Sequence, residues 1–193
     1  MIRRLIALAF LVAPAAALAA EYTIDPAHSS VEFRIKHLAI SNVTGSFGQF
    51  EGTIFYDPNN ISSSKTVASI SANSINTENA KRDDHLRSDD FFKVATFPEV
   101  KFVSRETKGS SDTFQVSGDL TMHGVTKPVT LDVTYNGSAK DPQGKERAAF
   151  SATTTINRKD FGLSWGKITE AGAIVVGDTV KIALEITGVK KAA

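Results

Sequence analysis

The chain has 193 residues, with 22 basic and 21 acidic side chains, a formal net charge of +1 and no cysteine. This balance argues against electrostatically driven nucleic-acid binding, which needs a basic stripe. The lack of thiols removes disulfides, thiolate metal sites and lipid-modified export signals from consideration. Stability must therefore come from burial, and a chain of this length can build one substantial core.

Residues 1–19 read as a cleavable signal peptide. Arg3 and Arg4 form a positive start, Leu5 to Val12 an apolar run, and Ala17-Leu18-Ala19 a small-residue cleavage site. Cleavage is expected after Ala19 or Ala20, leaving residues 20–193 as one exported, soluble domain. The run is too short to span a bilayer comfortably, and no later stretch approaches that length. Without Arg3 and Arg4, 20 basic residues face 21 acidic ones, so the mature charge is −1.

The rest of the chain reads mainly as strands. Val31, Phe33 and Ile35 alternate with Glu32, Arg34 and Lys36, the pattern of a half-buried antiparallel strand. Gly45, Gly48 and Gly52 punctuate the next strand-like stretch, where a bend or bulge is expected. The turn Asp57-Pro58-Asn59-Asn60 precedes a candidate strand over Val67 to Ile75.

From about Thr77 to Asp90 the pattern changes. A short helix is predicted, with Thr77 as N-cap and Glu78 in the first turn. Arg82, His85 and Leu86 then share one face, and Asp83 can pair with Arg87. Phe91, Phe92 and Phe97 follow, and Pro98 stops the helix from resuming. A charge run on a short helix is ordinarily a solvated face. Leu86, Phe91 and Phe92 point instead to a helix packed inward, drawing Arg82 or His85 toward a barrel mouth. There they would form a cationic site for a phosphate, carboxylate or polar carbonyl.

Strand patterning returns at Val100 to Ser104 and Thr113 to Leu120, separated by the turn Lys108-Gly109-Ser110-Ser111. It continues through Val129, Leu131, Val133 and Tyr135, with a turn expected at Asn136-Gly137 and another at Asp141-Pro142-Gln143-Gly144. Ala148 to Ile156 and Val180 to Ile186 complete the set. So many short strands with so little helix mean a sandwich or a barrel.

Catalytic motifs are absent: there is no Gly-x-Ser-x-Gly elbow, no phosphate-binding glycine loop and no His-Glu-x-x-His. His28, His37, His85 and His123 lack metal-ligand spacing, with or without Asp83 or Asp84, so hydrogen-bonded histidines at strand ends are the simpler reading. His28 and Ser29 would point to opposite faces of a strand, a poor geometry for a nucleophile pair.

Several ordered motifs resemble the YceI family of bacterial periplasmic, polyisoprenoid-binding proteins. They are Asp25-Pro26-Ala27-His28-Ser29-Ser30, Phe50-Glu51-Gly52, Arg82-Asp83-Asp84-His85-Leu86-Arg87-Ser88, His123-Gly124-Val125-Thr126-Lys127-Pro128 and Asn157-Arg158-Lys159-Asp160-Phe161-Gly162. The resemblance implies an all-β fold: an extended eight-stranded antiparallel lipocalin-like barrel with a short helical insertion near residues 77–90. It implies a periplasmic, non-enzymatic carrier of an isoprenoid or other long-chain lipid, with no cofactor and with the polar head near Arg82, Asp83 and His85. A homodimer is implied as well, and open strand edges would favour it.

Strands of eight to ten residues at roughly 3.3 Å each make a wall about 30 Å long, enough for an extended prenyl chain. Phe33, Ile35, Phe47, Phe102, Leu131 and Val133 are the candidate lining, and Trp165 a further wall residue. Two competing readings are an enzyme acting on a prenyl phosphate or isoprenoid-quinone precursor, and an outer-membrane barrel. The latter lacks the terminal aromatic residue and girdle pattern expected of that class.

Overall fold

The computed structural model describes residues 19–168 and 174–192, so the expected signal peptide lies outside the described residues apart from Ala19. The alternating segments form strands β1 (Ala20–Ile24), β2 (Ser30–His37), β3 (Ser41–Phe47), β4 (Phe50–Tyr56), β5 (Lys65–Ser71) and β6 (Ile75–Asn76). Helix α1 (Ala80–Arg87) follows. The chain then continues as β7 (Glu99–Gly109), β8 (Thr113–Met122), β9 (Val125–Lys140), β10 (Glu146–Asn157) and β11 (Val176–Lys190).

Six of these strands are halves of longer staves. A 3-10 turn at Pro26–His28 divides β1 from β2, Gly48-Gln49 divides β3 from β4, and a 3-10 turn at Ala72–Ser74 divides β5 from β6. Counted as staves, eight antiparallel strands form a ring. β11 closes it by pairing with β10 on one side and with β1 and β2 on the other, where Gly188 faces Ile24 and Leu184 faces Val31. Closure pairs the staves around the whole ring, apart from the short β6, which pairs with β3 alone. The bend expected among the glycines falls at Gly48. Gly45 has a different task, because a Cβ there would stand 2.4 Å from Cζ of Phe33. Only a glycine leaves room for that ring beside β3.

The expected turn at Asn136-Gly137 does not form. β9 runs on to Lys140, with Tyr135 opposite Phe150 and Gly137 opposite Ala149, so Asn136 is the extra residue of a bulge. Gly137 has φ of 116°, which a side chain would strain, and the pair kinks a strand rather than ending it.

The helix is shorter than predicted and begins later. Asn79, not Thr77, is the N-cap, its side chain accepting from the backbone N–H of Arg82. Arg87 pairs with Asp84 at 3.2 Å rather than with Asp83, and it also donates to the carbonyls of Asn73 and Ile75. These bonds fasten α1 to β6, where β6 has left β7 to pair with β3 alone. Helix and following turn fill that gap in the wall.

Charge anchors the N-terminal turn on the outside. Arg147 on β10 binds both Asp25 and Asp141, and His28 Nδ1 lies 2.8 Å from Asp25. Hydrogen bonding from Arg147, then from His28, holds the Asp25 carboxyl at about 2, below its usual 3.8. A depressed carboxylate stabilises the fold above its unfolded pKa and loses that contribution as pH falls through its folded value. Asp25→Asn should therefore lower the urea midpoint above pH about 4, with the difference from wild type vanishing as pH approaches about 2. A difference that persists unchanged at low pH would show that the ion pair is not its source.

Candidate functional site

Alternation that turns charges outward turns apolar side chains into the ring, where they surround one cavity of about 460 Å3. Phe33 and Ile35 enter it from β2, Phe47 from β3, Phe102 from β7, and Leu131 and Val133 from β9. Arg82, His85 and Leu86 reach it from α1, Phe91 and Phe92 from the turn after the helix, and Trp165 from the segment after β10. All twelve share one wall.

Asp83 does not join them. It is 5% exposed, and one carboxylate oxygen accepts both the backbone N–H and the hydroxyl of Thr77. That oxygen holds the helix to the preceding strand, so the head-group assignment fails for this residue on geometry. The same hydroxyl accepts from Arg82 Nε at 2.7 Å, and Arg82 Nη2 donates to the Thr77 carbonyl at 2.7 Å. Arg82 is thus aimed by Thr77, while its Nη1 makes no hydrogen bond among the described residues. A preorganised guanidinium with a donor to spare suits an anionic or carbonyl oxygen.

Beside it stands an aromatic group at the rim. The His85 ring meets Phe91 edge-on at 5.0 Å and Trp165 edge-on at 5.1 Å, and Phe91 lies 5.0 Å from Trp165. His85 Nε2 is 2.8 Å from an Asp90 oxygen, and its side chain is 41% exposed although it lines the cavity. The cavity therefore meets solvent at this end.

Arg158 was not singled out from the sequence, yet it organises the rim. It is 3% exposed and donates to the carbonyls of Leu163, Trp165, Val176 and Gly177 and to the Asp178 carboxylate. Burial pulls its pKa below the ordinary guanidinium value, and Asp178 opposes that pull. A signal was available: Phe150, Ala152, Thr154, Ile156 and Arg158 continue one period-two series, all on the cavity wall. Thr77 left no comparable trace, because its partners come from a helix.

The sequence profile of the YceI-like domain family matches residues 22–188. The chain belongs to the YceI family. A UPF0312 protein of Pseudomonas putida is 42% identical over 178 residues, covering 91% of this chain and 89% of that protein. The crystal structure of a Campylobacter jejuni YCEI protein is 36% identical with a TM-score of 0.69, over 81% of this chain and 90% of that one. A polyisoprenoid binding domain from Saccharophagus degradans, implicated in plant cell wall breakdown, shares the fold with a TM-score of 0.64 at 20% identity. That match spans 90% of this chain and 99% of the other. The eight-stranded barrel implied by the YceI resemblance is the fold observed.

Proposed function

We propose that this YceI-family chain binds, carries or stores an isoprenoid or similar long-chain amphiphile in its lumen, without chemical change to the ligand. The observation that carries this reading is a mostly apolar cavity of about 460 Å3 with Arg82 and His85 on its wall. That volume is within the ordinary range for small-molecule sites, where a few placed polar groups orient an otherwise apolar ligand. The polyisoprenoid-binding domain with the same fold supports the ligand class. The outer face of the wall carries Glu32, Arg34, Lys36 and Lys181, all exposed, a charge density that argues against a lipid-facing barrel. The leader pattern at Arg3-Arg4 and Ala17-Leu18-Ala19 supports delivery to the periplasm.

Head-group binding is tested at Arg82. Arg82→Ala should weaken binding of a prenyl phosphate by roughly 1.5–3 kcal/mol, about 10- to 150-fold, and Arg82→Lys should recover part of it. Mass spectrometry of the released ligand should find it intact. Unchanged affinity in a folded Arg82→Ala protein would return the charged helix to a solvated face, and turnover of the ligand would make the protein an enzyme.

A further inference from the structure

Among the described residues, five large apolar side chains stay exposed: Ile40, Val67, Val103, Ile168 and Ile174. Val67 and Val103 are an ordinary cross-strand pair on the outer wall, since their neighbours Ala68 and Phe102 line the cavity. The three isoleucines gather at the open end. Ile40, 83% exposed, sits at the tip of the β2–β3 hairpin. In that tip the Leu38 N–H donates to the Val175 carbonyl at 3.1 Å, and the Val175 N–H donates to the Lys167 carbonyl at 3.0 Å. Ile168 and Ile174, 73% and 53% exposed, pair next to it in an antiparallel bridge. Backbone hydrogen bonds thus tie the three into one lip. Inward, the lip runs into the cavity wall through Val43, Val175, Val176 and Trp165.

The hairpin tip is built against local preference. The Ile40 N–H donates to the His37 carbonyl at 3.2 Å, closing a turn whose central residues Leu38 and Ala39 have φ of 52° and 62°. Two positive φ values in succession ordinarily call for Asn-Gly. The chain places Leu-Ala-Ile there instead, three apolar residues in a row at its edge. Departures of this kind collect at functional positions.

Charge narrows the choice of partner. Residues 36–44, 163–168 and 174–177 carry Lys36 and Lys167 and no acid. Asp178 comes next, and Arg158 and Lys159 hold it. Lys167 Nζ stands 5.9 Å from the centre of the Trp165 ring, so apolar tips, an indole and exposed lysines share one edge. Acids near the mouth belong to α1 and its following turn, where Asp84 pairs with Arg87 and Asp90 with His85. Apolar tips for the acyl layer, an aromatic ring for head-group depth and lysines for lipid phosphates are the parts of a membrane-surface anchor. A second copy of the chain would bring lysines toward lysines and cover the mouth. A bilayer supplies phosphates to the lysines and apolar ligand to the cavity.

We propose that the lip formed by Leu38 to Ile40, Ile168 and Ile174 is a docking surface for an anionic lipid bilayer. Its apolar tips insert and present the mouth to the acyl layer, so that ligand passes between membrane and lumen without crossing water. Docking is a property of the outer surface, and only the passage of ligand rests on the carrier reading above.

The test is co-sedimentation of lipid-stripped protein with vesicles of equimolar phosphatidylcholine and phosphatidylglycerol, and with vesicles of phosphatidylcholine alone. Wild type should bind the anionic vesicles, and the neutral ones more weakly, because these offer the lysines no net negative charge. A variant combining Ile40→Ser, Ile168→Ser and Ile174→Ser should bind the anionic vesicles about tenfold or more weakly. Val67→Ser, which removes an exposed side chain from the outer wall, should bind as wild type does. Transfer of geranylgeraniol from wild type to the vesicles should speed up with vesicle concentration. In the triple variant it should slow about tenfold and lose that dependence, while affinity for geranylgeraniol in solution stays the same. If the triple variant does not fold, Ile40→Ser, at the most exposed of the three, decides alone. Equal vesicle binding by wild type and folded variant, or none by either, overturns the docking surface. A wild-type dimer that the triple variant turns into a monomer overturns it as well, giving the lip to a second copy. If wild type binds vesicles through the lip yet takes up no geranylgeraniol, the docking surface stands and the carrier reading falls.

Discussion

Replacing Arg158 by methionine should cost about 3–5 kcal/mol of folding stability, the loss expected when one partner of a buried charged network is removed. For a domain of this size the melting temperature should fall by roughly 6–20 °C. The side chain is 4% exposed, and four carbonyls plus the Asp178 carboxylate depend on it. Methionine fills much of the space but donates nothing, leaving the carbonyls around the rim without their donor. Trp165 stands on one of those released segments, so its contacts with His85 and Phe91 should loosen together. Thermal melts of Arg158→Met and of the double variant with Asp178→Asn separate the parts. Because Asp178 is 35% exposed, its own replacement should matter far less. A single variant that melts within a degree or two of wild type would mean the rim holds itself.

The second large effect distinguishes a tunnel from a packed interior. Holo protein should melt higher than stripped protein, because a ligand at 100 times its Kd adds about 2.7 kcal/mol, or roughly 5–11 °C. Leu131 lines the cavity midway along β9, between Val129 and Val133. Leu131→Trp should therefore place an indole in the lumen, lowering bound lipid sharply while the barrel stays folded. In a close-packed core the same change would overpack and destabilise by about 1–3 kcal/mol. Lipid content and melting temperature, measured together on wild type, stripped protein and Leu131→Trp, decide between these. If stripping leaves the melting temperature unchanged and the tryptophan variant merely unfolds, the lumen is a core and not a binding site.

Much of the barrel was legible in local pattern. Val31, Phe33 and Ile35 face inward because strand side chains alternate with period two, and whatever faces one way must be buried together. The same rule located Leu131 and Val133, and the greasy residues beside the charged run correctly pointed to a helix lying against the interior. The Asn136-Gly137 dipeptide suits a turn and a bulge alike, and only the pairing of β9 with β10 selects the bulge.

The helix shows where local reading ends. Arg82, Asp83 and His85 are neighbours in sequence, and composition offers no reason to separate their tasks. In the fold Asp83 turns to Thr77 and becomes part of the scaffold, while Arg82 and His85 reach the cavity. By itself, the sequence determined the strand periodicity, the single inward-facing helix and most of the apolar lining, because each follows from backbone geometry acting over a few residues. Ring closure through β11, the contacts of the Tyr56 ring with Phe114 and Phe150, and the carbonyls gathered by Arg158 were decided only by tertiary structure. Each joins residues tens of positions apart or gives a charge its partners at a distance, and their energies depend on burial that no local pattern specifies.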